Sequence, residues 1–171
     1  MSTVAAPFRI LVLCTGNSAR SQIGEALLDT LGVARHGRPV TAASAGSRPA
    51  ARVNPYAVEA LAAHGIMWND RVPKSIDEIA GEPFDLAITV CDNARDACPF
   101  FPGAAVQVHW GLPDPADEQE PEAARHAFES TYQALHSRID ALLALPLETM
   151  DAAALREAAS MIHAERDALA Q

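Results

Sequence analysis

Short apolar runs alternate with amphipathic segments along the chain, and this alternation predicts its secondary structure. The apolar runs have the length of buried strands and end at turn-forming residues. The amphipathic segments place apolar residues three or four positions apart, as on one face of a helix. The predicted strands are 8–13, 40–45, 85–90 and 104–110, and the predicted helices are 21–31, 55–65, 121–146 and 151–168.

Strands that alternate with helices at short spacing indicate βαβ units and a parallel sheet, and hence an α/β fold. In open sheets of this kind, ligands bind at the carboxyl ends of the strands. Cys14 follows the first predicted strand, Cys91 follows the third, and Asp114 lies just past the fourth. We therefore expect these three residues to meet at one crevice.

Composition and charge exclude several classes of protein. The chain has 171 residues, of which 49% are hydrophobic, so it fits one domain with a sizeable core. No stretch approaches the roughly 18 consecutive apolar residues of a membrane span, and we predict a cytoplasmic protein. The net charge of −9 argues against nucleic acid or an anionic membrane as a partner. Residues 1–80 carry 8 Lys/Arg and 6 Asp/Glu, so an anionic ligand is expected there.

The segment Cys14–Ser21 has the order strand, tight loop, helix start, which is typical of an anion-binding nest of backbone N–H groups. Arg20 adds a planar fork of donors that matches a tetrahedral oxyanion, and Ser21 is placed to hydrogen-bond the Cys14 sulfur. Such a nest favours the thiolate, which is the nucleophilic form of cysteine. The plainer alternative is a small buried cysteine and a solvated arginine. The residues predicted to bind the oxyanion are Thr15, Gly16, Asn17, Ser18, Ala19 and Arg20.

The sequence Cys14-Thr-Gly-Asn-Ser-Ala-Arg-Ser-Gln22 resembles the active-site loop of the low-molecular-weight tyrosine phosphatase superfamily. Three features resemble its thioredoxin-coupled arsenate reductases in particular: Gln22 after the loop, the spacing Cys91-x6-Cys98, and the segment His109-Trp-Gly-Leu-Pro-Asp-Pro-Ala116. The resemblance implies a single three-layer domain with a four-stranded parallel sheet flanked by helices. Residues 1–146 would form that arsenate reductase domain, and 147–171 would add a C-terminal helical extension to it.

The resemblance also implies roles for individual residues. Cys14 would attack arsenic while Asp114, between two prolines, protonates the leaving oxygen; without the resemblance, Asp114 would be taken as an acidic turn residue. Cys91 and then Cys98 would carry a disulfide relay that thioredoxin reduces. Seven residues of α-helix rise about 10.5 Å, whereas a disulfide needs α-carbons within roughly 7 Å. The segment 91–98 must therefore rearrange if it is helical before the relay closes.

No bound cofactor is expected. The three cysteines lack the close Cys-x2–4-Cys spacing of most structural zinc sites. Some relatives bind potassium through side chains that correspond to Asn17, Glu25 and Ser44, but Val72 and Lys74 stand at the two other ligand positions here. A lysine ammonium there would replace the cation, so we predict no metal requirement.

Two other functions remain open on the same residues. The first is a phosphatase, in which water instead of Cys91 resolves a phosphocysteine. Phosphatase activity is also expected as a side reaction of the reductase, because both chemistries share the nucleophile, the nest and the acid. The second is a non-catalytic oxyanion or redox sensor, from which turnover would distinguish either enzyme. The expected partners of the arsenate reductase are arsenate and thioredoxin, with no nucleic acid and no membrane.

Overall fold

The sheet has four strands, all parallel, in a computed structural model that describes residues 6–32, 39–92 and 99–170. The strands are β1 (Phe8–Cys14), β2 (Val40–Gly46), β3 (Phe84–Thr89) and β4 (Ala104–His109), in the order β2-β1-β3-β4. In this register Cys14 lies beside Gly46, the last residue of β2. The predicted four-stranded parallel sheet is confirmed.

The described residues also form four α-helices, α1 (Arg20–Leu31), α2 (Pro55–Ala63), α3 (Pro121–Leu143) and α4 (Ala152–Leu169). Helix α2 starts as its sequence predicts, because the Asn54 side chain accepts a hydrogen bond from the Tyr56 N–H and proline takes the first helical position. Two short 3-10 helices, Ile76–Ile79 and Pro115–Asp117, were not predicted. None of the helices within the described ranges is both long and apolar enough to cross a bilayer.

The side chains of β1 alternate between two hydrophobic clusters, as the period of two along a strand requires. Ile10, Val12 and Cys14 belong to the larger cluster, to which all four α-helices contribute. Leu11 and Leu13 belong to a smaller cluster on the other face, where Ile79, Phe101 and neighbouring residues cover the sheet. Because both faces of β1 are buried, its near-continuous apolar sequence is explained.

Helix α4 packs on the same core as the rest of the domain. Leu155, Ala159 and Ile162 join the larger cluster, and the indole N–H of buried Trp110 donates to the Ala159 carbonyl at 2.9 Å. This bond satisfies the indole N–H and links α4 to the segment that leads to Asp114. The boundary at 146/147 between domain and extension stays a prediction.

Candidate active site

Cys14 is a free, buried cysteine at the end of β1, and its sulfur is held by the loop that follows. The Ser21 Oγ lies 2.8 Å from the Cys14 Sγ, and the Asn17 N–H donates to the same sulfur at 3.2 Å. Ser21 Oγ accepts a hydrogen bond from the Asn17 side-chain amide at 2.8 Å, so its own proton is available to the sulfur. Both contacts bring a hydrogen-bond donor to the sulfur.

Every carbonyl of the loop from Cys14 to Ser18 accepts a hydrogen bond from outside the loop. Backbone N–H groups of the segment 47–54 donate to four of these carbonyls. The Gln22 side-chain amide donates to the fifth, which is the carbonyl of Asn17. The N–H of a peptide unit points opposite to its carbonyl, so the N–H groups of residues 15–19 turn toward the inside of the loop. The Asn17 N–H, which reaches the Cys14 sulfur, agrees with this direction. The four backbone pairs are Ser47 to Cys14, Arg48 to Thr15, Ala50 to Gly16 and Asn54 to Ser18.

Asn17 fixes the shape of the loop through its side chain. Its φ of 49° is in the left-handed region, which asparagine tolerates better than most residues. Its amide donates to Ser21 and to Ser44, both at 2.8 Å, and its Oδ1 accepts from the Lys74 N–H at 2.8 Å and from Gln22 at 3.1 Å. All four hydrogen-bonding positions of this buried amide are used. From the sequence, Asn17 was expected to contribute to the anion nest and to correspond to a potassium ligand of some relatives, but its role in fixing the loop was not foreseen.

Gly46 is a site residue that the sequence did not reveal. A Cβ atom built on Gly46 would lie 2.5 Å from the Thr15 carbonyl oxygen and 2.9 Å from the Asn17 nitrogen. Both are backbone atoms of the loop and cannot move aside without changing it. The only sequence signal was a glycine at the end of a predicted strand. The absence of a side chain at Gly46 is therefore what allows β2 to lie against the oxyanion loop.

Gly46→Ala is expected to distort the loop and to destabilise the fold by about 1–3 kcal/mol, the usual cost of forcing a methyl group into a packed site. Orthophosphate binding should weaken in parallel, because the loop N–H groups move. Urea unfolding and isothermal titration measure the two effects. Gly81→Ala is the matched control, since a Cβ at Gly81 meets no atom within 4 Å. Unchanged phosphate affinity in Gly46→Ala would contradict this role.

Arg20 connects the loop to the segments that follow β3 and β4. Its guanidinium is buried and donates to the Leu112 carbonyl at 3.0 Å and to the Val90 carbonyl at 3.4 Å. The same group lies 3.4 Å from the Asp114 carboxylate, whose side chain is 32% exposed. Asp114 also accepts from the Ala116 N–H at 3.0 Å, which caps the 3-10 helix at Pro115–Asp117. The structure thus brings Arg20 and Asp114 together at the mouth of the loop.

Cys91 is buried and follows Val90, the first residue after β3, close to the end of β1. The Val90 N–H donates to the Leu13 carbonyl at 2.9 Å, which continues the pairing of β1 and β3 up to the residue before Cys91. Cys91 is disulfide-bonded, in contrast to Cys14. Cys98 lies outside the described residues, and so does most of the segment 91–98 whose rearrangement the sequence predicts.

The residues that correspond to a potassium site are engaged in other interactions. Ser44 donates to one Glu25 oxygen at 2.7 Å, and Arg71 pairs with the other at 3.2 Å. Burial raises the pKa of the Glu25 carboxyl, whereas the Ser44 hydrogen bond and the positive charges of Lys74 and Arg71 act in the opposite direction. The sequence pointed to Lys74 as the substitute cation, but the direct ion pair is made by Arg71.

These contacts do not fit a potassium ion. Both Glu25 oxygens already have partners, and the Arg71 guanidinium brings a positive charge to the position that a cation would neutralise. Val72, at another expected ligand position, has an apolar side chain that is 71% exposed. Within the described ranges, no group of three or more His, Cys, Asp or Glu side chains is arranged to hold a metal ion.

Comparisons with known proteins agree with this fold and loop. Residues 9–160 match the low molecular weight phosphotyrosine protein phosphatase family. The chain is 40% identical to an arsenate reductase of Brevibacillus brevis over 116 residues, which are 68% of this chain and 83% of that relative.

Two solved structures are also similar. An arsenate reductase from Archaeoglobus fulgidus superposes with a TM-score of 0.60 at 26% identity, over 77% of this chain and 98% of the other. A thioredoxin-dependent arsenate reductase from Corynebacterium glutamicum gives a TM-score of 0.54 at 28% identity, over 81% of this chain and 64% of that one. The chain therefore belongs to the low molecular weight phosphotyrosine protein phosphatase family, on the branch that contains arsenate reductases.

Proposed function

We propose that this protein reduces arsenate to arsenite through a covalent intermediate on Cys14. The observation that carries the proposal is the geometry of the loop from Cys14 to Ser18. Its carbonyls accept hydrogen bonds from outside the loop, and the Cys14 sulfur forms hydrogen bonds with Ser21 and with the Asn17 N–H. Inward N–H groups suit a tetrahedral oxyanion, and the thiolate at the floor of the loop is a nucleophile. The arsenate reductases among its relatives favour arsenic over phosphorus as the atom attacked.

In the first step, the Cys14 thiolate attacks arsenic and forms a sulfur–arsenic bond. One arsenate oxygen leaves as water once it has been protonated, and Asp114 is the proposed general acid. The contact between Asp114 and Arg20 supports this role, because it places the carboxyl group at the mouth of the loop. Arg20 and the N–H groups of residues 15–19 stabilise the charge on the remaining oxygens.

The second step requires the reduced form of Cys91, which is disulfide-bonded in this structure. After that disulfide has been reduced, the Cys91 thiolate attacks the Cys14 sulfur. A Cys14–Cys91 disulfide forms, the electron pair of the sulfur–arsenic bond stays on arsenic, and arsenite departs. The position of Cys91 beside the end of β1 supports this pairing. Cys98 then attacks Cys91, which releases Cys14 as a thiolate and forms a Cys91–Cys98 disulfide.

Thioredoxin is the proposed reductant of that last disulfide. The thioredoxin-dependent relative from Corynebacterium glutamicum supports this choice of donor. A thiol donor of this kind requires a reducing compartment, in line with the predicted cytoplasmic location.

The test of this function is arsenite production by the full chain with thioredoxin, thioredoxin reductase and NADPH. One NADPH should be oxidised for each arsenite formed, and a glutaredoxin–glutathione system should support a much lower rate. A chain that hydrolyses aryl phosphates but forms no arsenite would instead be a phosphatase. A chain with neither activity that still binds oxyanions would be a sensor.

We also propose that no potassium ion is needed. Since Arg71 already pairs with Glu25, a second positive charge in that pocket would meet like-charge repulsion in addition to its dehydration cost. Melting temperature and arsenate turnover should be equal in potassium and sodium salts at matched ionic strength. Stabilisation by potassium that sodium does not reproduce would refute this account of the pocket.

A further inference from the structure

Two arginines stand on the segment that supports the oxyanion loop from outside. Arg48 and Arg52 are both exposed, and neither has a salt bridge or a side-chain hydrogen bond to any residue that the structure describes. An unpaired guanidinium group is free to meet an incoming anion, and its planar set of donors matches the geometry of an oxyanion. Their role is not part of the proposed chemistry, since neither is a residue of the loop itself.

Backbone contacts place these two arginines at opposite ends of the loop. The Arg48 N–H donates to the Thr15 carbonyl at 2.8 Å, where the loop begins. The Arg52 carbonyl accepts from the Ser18 hydroxyl at 2.9 Å, where the loop approaches α1. The two residues therefore flank the stretch of backbone whose N–H groups turn inward.

The protein carries a net negative charge, so exposed positive charge near the loop would favour the approach of an anion. With a net charge of −9, the protein as a whole repels an approaching dianion. Arg20 does little to counter this at a distance, because it is buried and lies 3.4 Å from the Asp114 carboxylate. Arg48 and Arg52 add exposed positive charge on the segment beside the loop.

We propose that Arg48 and Arg52 form a cationic rim that draws dianionic inorganic oxyanions into the Cys14 loop. The two arginines act by their charge from the segment beside the loop and take no part in the bond-making steps. This inference rests on the proposed function for its choice of arsenate as the substrate. The test therefore measures the binding of orthophosphate, because this binding requires the loop but does not require reduction of the ligand.

The test measures orthophosphate affinity of the full chain by isothermal titration at low and at physiological ionic strength. For Arg48→Gln/Arg52→Gln, we expect Kd to rise by about 10-fold at low salt and by about 3-fold at physiological salt, where the Debye length is about 8 Å. The KM for arsenate should rise by similar factors. Arg48→Lys/Arg52→Lys should keep the affinity, because it keeps the charge.

The control is Arg156→Gln, which removes one exposed positive charge on α4, the helix that packs on β4 at the other edge of the sheet. It should leave the phosphate Kd unchanged. The rim is refuted if the double Gln variant binds like the unmodified chain at low salt, or if the Lys variant loses as much affinity as the Gln variant. It is also refuted if the unmodified chain binds no orthophosphate. Phosphate binding that depends on the rim, without arsenite production, would support the rim and refute the reductase.

Discussion

Cys14→Ser is expected to lower arsenate reduction by at least about 1000-fold, because a serine hydroxyl is a far weaker nucleophile than a thiolate at neutral pH. Any phosphatase activity should disappear with it, since both reactions begin with the same attack. Arsenite formation and aryl phosphate hydrolysis are the two measurements.

The fold should survive this substitution. Serine is smaller than cysteine, and its oxygen can keep hydrogen bonds with Ser21 and the Asn17 N–H. Circular dichroism, urea unfolding and orthophosphate titration are the controls, and all three should show an intact protein with an intact loop. Substantial turnover of either substrate by such a protein would show that the nucleophile has been misassigned.

Cys91→Ser is expected to separate the chemistry of arsenic from that of phosphorus. Multiple turnover of arsenate should fall by at least about 100-fold, because the arsenic bound to Cys14 can no longer be released by thiol attack. Hydrolysis of a small aryl phosphate should stay within a few-fold of the unmodified protein, since water resolves a phosphocysteine without a second thiol.

The burial of Cys91 calls for a check on stability in this variant. Compared with the reduced protein, in which Cys91 is a thiol, serine places a hydroxyl in a position that is 0% exposed, so a loss of about 1–2 kcal/mol is expected. The retained phosphatase activity serves as the internal control that the loop is still formed. If Cys91→Ser reduced arsenate catalytically at the normal rate, the relay through Cys91 would be wrong.

Local features of the site could be predicted from the sequence, and long-range ones could not. The loop from Cys14 to Ser21 is contiguous, so the order of strand, tight turn and helix was enough to predict an anion nest. The residues that hold the loop in place come from other parts of the chain. The segment 47–54 reaches the loop only because β2 pairs with β1, and the close approach at Gly46 follows from that register.

Charge pairing was equally hard to foresee. Arg71 and Glu25 are 46 residues apart, and the sequence pattern favoured Lys74 because it stands at one of the expected ligand positions. Arg20 binds the carbonyls of Val90 and Leu112, which are 70 and 92 residues away. The predicted helices and strands, by contrast, depend on periodicity within each segment, which explains why the sheet and all four α-helices were anticipated.

The most direct test of the proposed relay is peptide mapping of Cys98→Ser after a single addition of arsenate. The second thiol exchange is blocked in this variant, so the first disulfide should accumulate. We expect a Cys14–Cys91 disulfide together with about one arsenite per chain, and neither product when arsenate is left out. A fully alkylatable Cys14 after arsenate treatment, in a protein that still hydrolyses an aryl phosphate, would contradict the arsenate reductase mechanism.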